Sequence, residues 1–129
     1  MDANLINISS VQTYLDGILR KSGVSKNIYY SNLPKVIAKS WNDMVLVDVN
    51  VNDLWGAGKG FVNFFLYSKP IGSDQQNVKN LGRMENVMND VLSNSRNEHY
   101  FLTKFSSNSD YDQFRNLHYI AVTAIIQII

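Results

Sequence analysis

Between residues 44 and 51, "MVLVDVNV" alternates: Val45, Val47, Val49 and Val51 fall on one side, Asp48 and Asn50 on the other. A period of two marks a strand with one buried face, and the polar side predicts a face that turns wet towards the strand's end. "FVNFFLY", residues 61–67, alternates in the same way. Val62, Phe64 and Leu66 point one way, and Phe61, Asn63, Phe65 and Tyr67 the other. The stretch between the two segments holds Gly56, Gly58 and Gly60, which predicts a β-hairpin with a long, glycine-rich tip.

Elsewhere the period is helical. In "SSVQTYLDGILRKS", residues 9–22, Val11, Leu15, Ile18 and Leu19 form a stripe with Tyr14 at its margin. Ser9 and Gln12 fit a capping box at the start. Arg20 and Lys21 suit the negative end of the helix dipole, and Gly23 is a natural stop. A second helix is expected over 74–94, with Asp74 or Asn77 as its cap. Its stripe is Val78, Leu81, Met84, Met88, Val91 and Leu92, with Glu85 and Val87 at the margins. Gly82 lies inside it at a cost of about 1 kcal/mol against Ala, and reads as a place of close approach by a neighbour.

The remaining segments are extended or irregular. "NIYYSNLP", residues 27–34, reads as a short strand, and "KVIAKSW" as either more strand or an irregular crossing. "HYFLTKF", residues 99–105, reads as a strand and "SSNSDYDQFRN" as a polar connection. Residues 117–129 form a long final strand, supported by β-branched Thr123, Ile125, Ile126, Ile128 and Ile129. The expected fold is α+β: a mainly antiparallel β-sheet packed on one face by two α-helices, with a long β-hairpin. Residues 1–129 make one domain, with no repeat and no linker.

Composition narrows the classes. A chain of 129 residues with 45% hydrophobic and 18% charged positions can bury a real core. The net charge of +1 gives no electrostatic footprint for nucleic acid. The absence of cysteine excludes disulfides and cysteine-ligated metal. No apolar run approaches the roughly 18 residues of a spanning helix. "MDANLINISS" lacks the basic start and apolar run of a signal peptide. The expectation is a soluble, intracellular chain with no membrane partner, which sets aside a membrane-associated or secreted adhesion module.

Candidate chemistry is sparse. "DLWGAGKGFVNFFLYSKP", residues 53–70, places three glycines around Lys59. A phosphate-binding loop needs Gly at position 53 and Ser or Thr after the lysine, then a helix. The chain has Asp53, Gly60 and a strand, so the loop reads as a hairpin tip. His99 and His118 match no metal-ligand spacing, and Asp110 and Asp112 read as turn-formers. No catalytic, metal or cofactor residue is assigned, and no cofactor is expected. A second reading is a small-molecule-binding or enzymatic α+β domain, with a pocket beside His99, His118 or Asp112.

The stronger signals point to contact between chains. Trp55 and Lys59 sit at the hairpin tip, where Trp55 either meets another chain or folds back over the sheet. The apolar run reaching Ile128 and Ile129 would invite edge-to-edge pairing unless covered. With Phe61 and Phe65, these are the expected partner-contact residues.

The order of elements resembles one known family. An opening helix, "SSVQTYLDGILRK", leads to an extended segment ending in "NLP". The hairpin "MVLVDVNV" to "FVNFFLY", the helix "NVKNLGRMENVMNDVLS" and the strands "HYFLTKF" and "LHYIAVTAIIQI" follow. Over nearly the whole chain this resembles the tail-terminator and head–tail joining (tail-completion, neck) proteins of tailed bacteriophages. "Asp-x-Asp … Leu-His-Tyr" resembles that family's entry to its last strand. The resemblance implies a non-enzymatic virion subunit, assembled in the host cytoplasm, in a homo-oligomeric ring (hexamer or dodecamer). Portal or adaptor and tail proteins would be its neighbours, and DNA would pass through the lumen without sequence-specific binding. A polar or acidic lumen is expected with it, yet Asp43, Asp48 and Asp53 alternate poorly on one face.

Overall fold

The computed structural model describes residues 7–50, 58–72 and 75–129. Its elements in chain order are α1 (Ile8–Ser22), β1 (Ile28–Tyr30), β2 (Asp43–Asn50), β3 (Lys59–Ser68), α2 (Val78–Ser93), β4 (Tyr100–Asp112) and β5 (Leu117–Ile128). The five strands form one sheet in the order β1-β2-β3-β5-β4. Only β1 pairs in parallel, with β2; the other three pairings are antiparallel. The α+β architecture expected from the pattern is therefore the observed one.

Both helices lie against one face of the sheet, which takes the alternation seen in the sequence. Val45, Leu66 and Ile120 are cross-strand neighbours, as are Val47, Phe64 and Val122. All six are buried, together with Val11, Leu15 and Leu19 of α1 and Leu81, Met84 and Met88 of α2. Val78, assigned to the apolar stripe, is instead exposed at the first position of α2.

The helix ends show where local chemistry decides. Asn7, not Ser9, caps α1: its extended backbone lets Oδ1 accept from the Ser10 N–H at 2.8 Å. The Ser9 carbonyl is taken by the Thr13 hydroxyl instead. Gly23 ends the helix in the left-handed region at φ 73°, as a terminating glycine should. Asn77 caps α2 by accepting from Asn80 N–H at 3.1 Å. Gly82 meets no close neighbour, since a Cβ there would touch nothing within 4 Å. The expected close approach is absent, and Gly82→Ala should raise stability by about 1 kcal/mol through helix propensity and unfolded-state entropy. Urea denaturation followed by circular dichroism measures this.

Two further expectations are corrected. "SSNSDYDQFRN" is not a connection. Residues through Asp112 continue β4 and pair with β5 down to Asp112 opposite Leu117. Polar side chains suit that strand because β4 is a sheet edge with one flank towards water. The long apolar C-terminal strand is not an edge. β5 lies between β3 and β4, hydrogen-bonded on both sides, so pairing within the chain already occupies its backbone. A bulge interrupts β4: Lys104 faces Ala124 and Ser106 faces Thr123, leaving Phe105 as the extra residue.

Candidate subunit interface

The second sheet face, away from the helices, has two halves. One half is closed by the irregular crossing 31–42, where Leu33, Ile37 and Trp41 pack on Met44, Tyr67, Leu117 and their neighbours. The segment "KVIAKSW" is thus a cover and not a strand. Among the described residues, nothing closes the other half. It carries Phe61 of β3, Ile125 of β5 and Phe101 and Thr103 of β4, which the register sets side by side. The bulge turns Phe105 towards them: its ring meets Phe61 edge-on at 5.7 Å while 63% of the residue stays exposed. Polar groups mark the middle of the face, where Thr123 donates to Asn63 Oδ1 at 2.7 Å and Asp48 is exposed.

Of the residues expected to contact a partner, Trp55 lies outside the described residues. Lys59 is exposed at the rim of the open half, two residues from Phe61. Phe65 is half-buried on the same face but near the closed half, edge-on to Tyr119 at 5.8 Å. Ile128 is buried in the chain's own core and cannot offer a side chain outward, whereas Ile129 is exposed. Sequence reasoning missed Phe105 and Phe114. By its spacing Phe105 is an ordinary strand position, and only the bulge exposes it. Phe114 sits among polar residues that carry no periodic signal.

Phe114 tops the β4–β5 turn and is fully exposed. Asp112 holds that turn. Its Oδ1 accepts from the N–H groups of Phe114 and Arg115 at 3.0 and 3.1 Å. Its Oδ2 accepts from Arg115 Nη1 at 3.2 Å and from the Tyr67 hydroxyl at 3.4 Å. Burial, and then the Asp112 charge, push the Tyr67 hydroxyl well above the ordinary phenol range. Tyr119 is raised in the same direction by burial and by Asp110. Both tyrosines therefore remain neutral hydrogen-bond donors at neutral pH.

At the same end of the sheet, α2 is fastened to β2 by a polar network. Arg83 Nη2 donates to Asp43 Oδ2 and to the Val24 carbonyl, each at 3.0 Å. Asn80 Nδ2 donates to the same carboxylate oxygen at 3.0 Å and to Ser68 Oγ at 2.9 Å. Asp43 is thus absorbed by structure. Beside it opens a cleft of about 500 Å³ between residues 23–29 and the turn 37–44. Trp41, Tyr29 and Ile37 line it, and buried Val24 and Met44 form its floor.

The second reading placed a pocket beside His99, His118 or Asp112. His118 does border a cavity of about 280 Å³, whose lining among the described residues includes Tyr111 and Gln75 but no carboxylate and no second histidine. Asp112 faces the other side of the sheet, towards Tyr67, because Tyr111 is the residue paired with His118. His99 precedes β4 at the opposite end and is exposed. Among the described residues, no three His, Asp or Glu side chains gather as a metal site, and no helix is long and apolar enough to cross a membrane.

No known protein-family profile matches the chain, and no curated protein matches it. Among solved structures it is similar to the sheath/tube terminator of an extracellular contractile injection system (PVC) in the extended state. The identity is 14% and the TM-score 0.44. The match covers 95% of this chain and 57% of the terminator, so the chain spans little more than half that protein's length.

Proposed function

We propose that the chain is a non-enzymatic structural subunit of a phage or phage-tail-like particle, assembling with copies of itself into a ring at the neck or tail end. The observation that carries this reading is the open half of the sheet. Phe61, Phe101 and Ile125 are half-buried and Phe105 is exposed, and together they form one apolar patch. Fully burying an exposed aromatic or branched side chain contributes about 1.5–3 kcal/mol; Phe105 has most of that still to gain and its half-buried neighbours a part, so the patch favours a partner over water. Lys59 and Ile129 belong to the rim of the same end, and Phe65 to its inner margin. The resemblance in element order supplies the kind of partner: further copies of the chain, with portal or adaptor and tail proteins above and below. The ring has about six or twelve members, the closed symmetry that a repeated contact permits. DNA passes its lumen without base readout.

The test is light scattering coupled to size-exclusion chromatography, with electron microscopy of the peak. The wild-type chain should elute as a ring. Phe61→Asp combined with Phe105→Asp should release monomers with unchanged circular dichroism. A wild-type chain that stays monomeric at all concentrations overturns the proposal.

A further inference from the structure

The two ends of the subunit contact lie at opposite edges of one molecule. Phe114 projects from the β4 side of the sheet, and the Trp41 cleft opens on the β1 side. Both occupy the same end of the strands, since β2 begins at Asp43 opposite Ser68 of β3 and the β4–β5 turn follows Asp112. We propose that Phe114 of one copy seats in the Trp41 cleft of the next. This rests on the ring reading and adds a second contact, at the other end of the strands from the Phe61–Phe105 patch.

Four observations support the pairing. Phe114 is 100% exposed, yet its turn is held by the Phe114 and Arg115 N–H groups, which donate to Asp112 Oδ1, and by Asn116 at φ 53°. The backbone is therefore already placed for docking, and only the side-chain torsions of Phe114 remain to be ordered. The cleft, at about 500 Å³, has room for an aromatic side chain; Trp41, Tyr29 and Ile37 give it apolar walls beside the polar Ser25, Asn27, Ser40 and Asn42. The charges are complementary. The turn carries Asp110, Asp112 and Arg115, one net negative charge, and the cleft Lys26, Arg83 and Asp43, one net positive charge. Finally, a knob on one edge and a socket on the other make a head-to-tail contact, which closes into a ring when the rotation per copy permits. A self-facing dimer would need both parts on one patch.

The chain has no cysteine, which makes disulfide trapping clean. Ala38 lines the cleft and is exposed. A chain carrying both Phe114→Cys and Ala38→Cys, oxidised after assembly, should give a ladder of covalent multimers on denaturing gels. Equal mixing of the two single variants should give a cross-linked dimer. Phe114→Ala should raise the concentration needed for assembly at least tenfold while leaving circular dichroism unchanged. If the wild type assembles but Phe114→Ala assembles equally well and no ladder forms, the knob and socket are wrong and the ring stands on other contacts. If Phe114→Cys cross-links to itself, the contact is tip to tip and the proposal falls. If the wild type is monomeric, the ring reading fails and this contact fails with it.

Discussion

Phe64→Ala should cost about 3–5 kcal/mol, close to the whole stability of a marginal domain. Phe64 is the largest of the fully buried side chains and sits in β3 between Val47 and Val122, beneath the helices. Removing its ring leaves a cavity walled by two strands and the helix layer, which cannot collapse without breaking the sheet register. Phe61, three positions earlier, faces the open side of the same strand. Truncating it should cost the monomer far less, since it is already partly hydrated. Urea denaturation of the two alanine variants should therefore separate a core phenylalanine from an interface phenylalanine. Equal losses would show that the open face is part of the chain's own core.

Ser95→Ala should cost about 1–3 kcal/mol despite removing a single oxygen. Ser95 is buried just beyond α2 and joins three elements. Its hydroxyl accepts from the Leu102 N–H at 2.8 Å and donates to the Leu92 carbonyl at 3.1 Å. Its own carbonyl accepts from the Tyr14 hydroxyl of α1. Alanine would leave the Leu102 N–H, on the outer flank of an edge strand, without its acceptor in a buried place. Ser95→Thr, which keeps the hydroxyl, isolates the lost hydrogen bond from packing. Hydrogen exchange at Leu102, faster in Ser95→Ala than in the wild type, locates the damage.

The layers and the two helices were legible because alternation and helical stripes report burial directly. Val45, Val47, Phe64 and Leu66 face the helices as their spacing requires. What the pattern hid has physical causes. The polar run 106–112 carries no buried face on its outer edge, so β4 looked like a loop. The place of β5 inside the sheet is a matter of strand order, set by long-range pairing and not by local preference. Asn7 displaced Ser9 as a cap because either residue type serves, and only backbone geometry chooses. The candidate contact surface was half legible. Phe61 and Phe65 followed from alternation, but Phe105 depends on one irregular position and Phe114 on a turn held by Asp112.

The bulge at Phe105 also bears on how such a chain can change over generations. Anywhere else in β4, losing one codon would reverse every side chain downstream from one face to the other. At position 105 the strands on either side are already in step: Lys104 meets Ala124 and Ser106 meets Thr123, which are neighbours on β5. Deleting Phe105 would leave an unbroken ladder with the core intact. A lineage could therefore gain or shed this exposed aromatic by a single-residue insertion or deletion, altering what its surface recognises without rebuilding its interior.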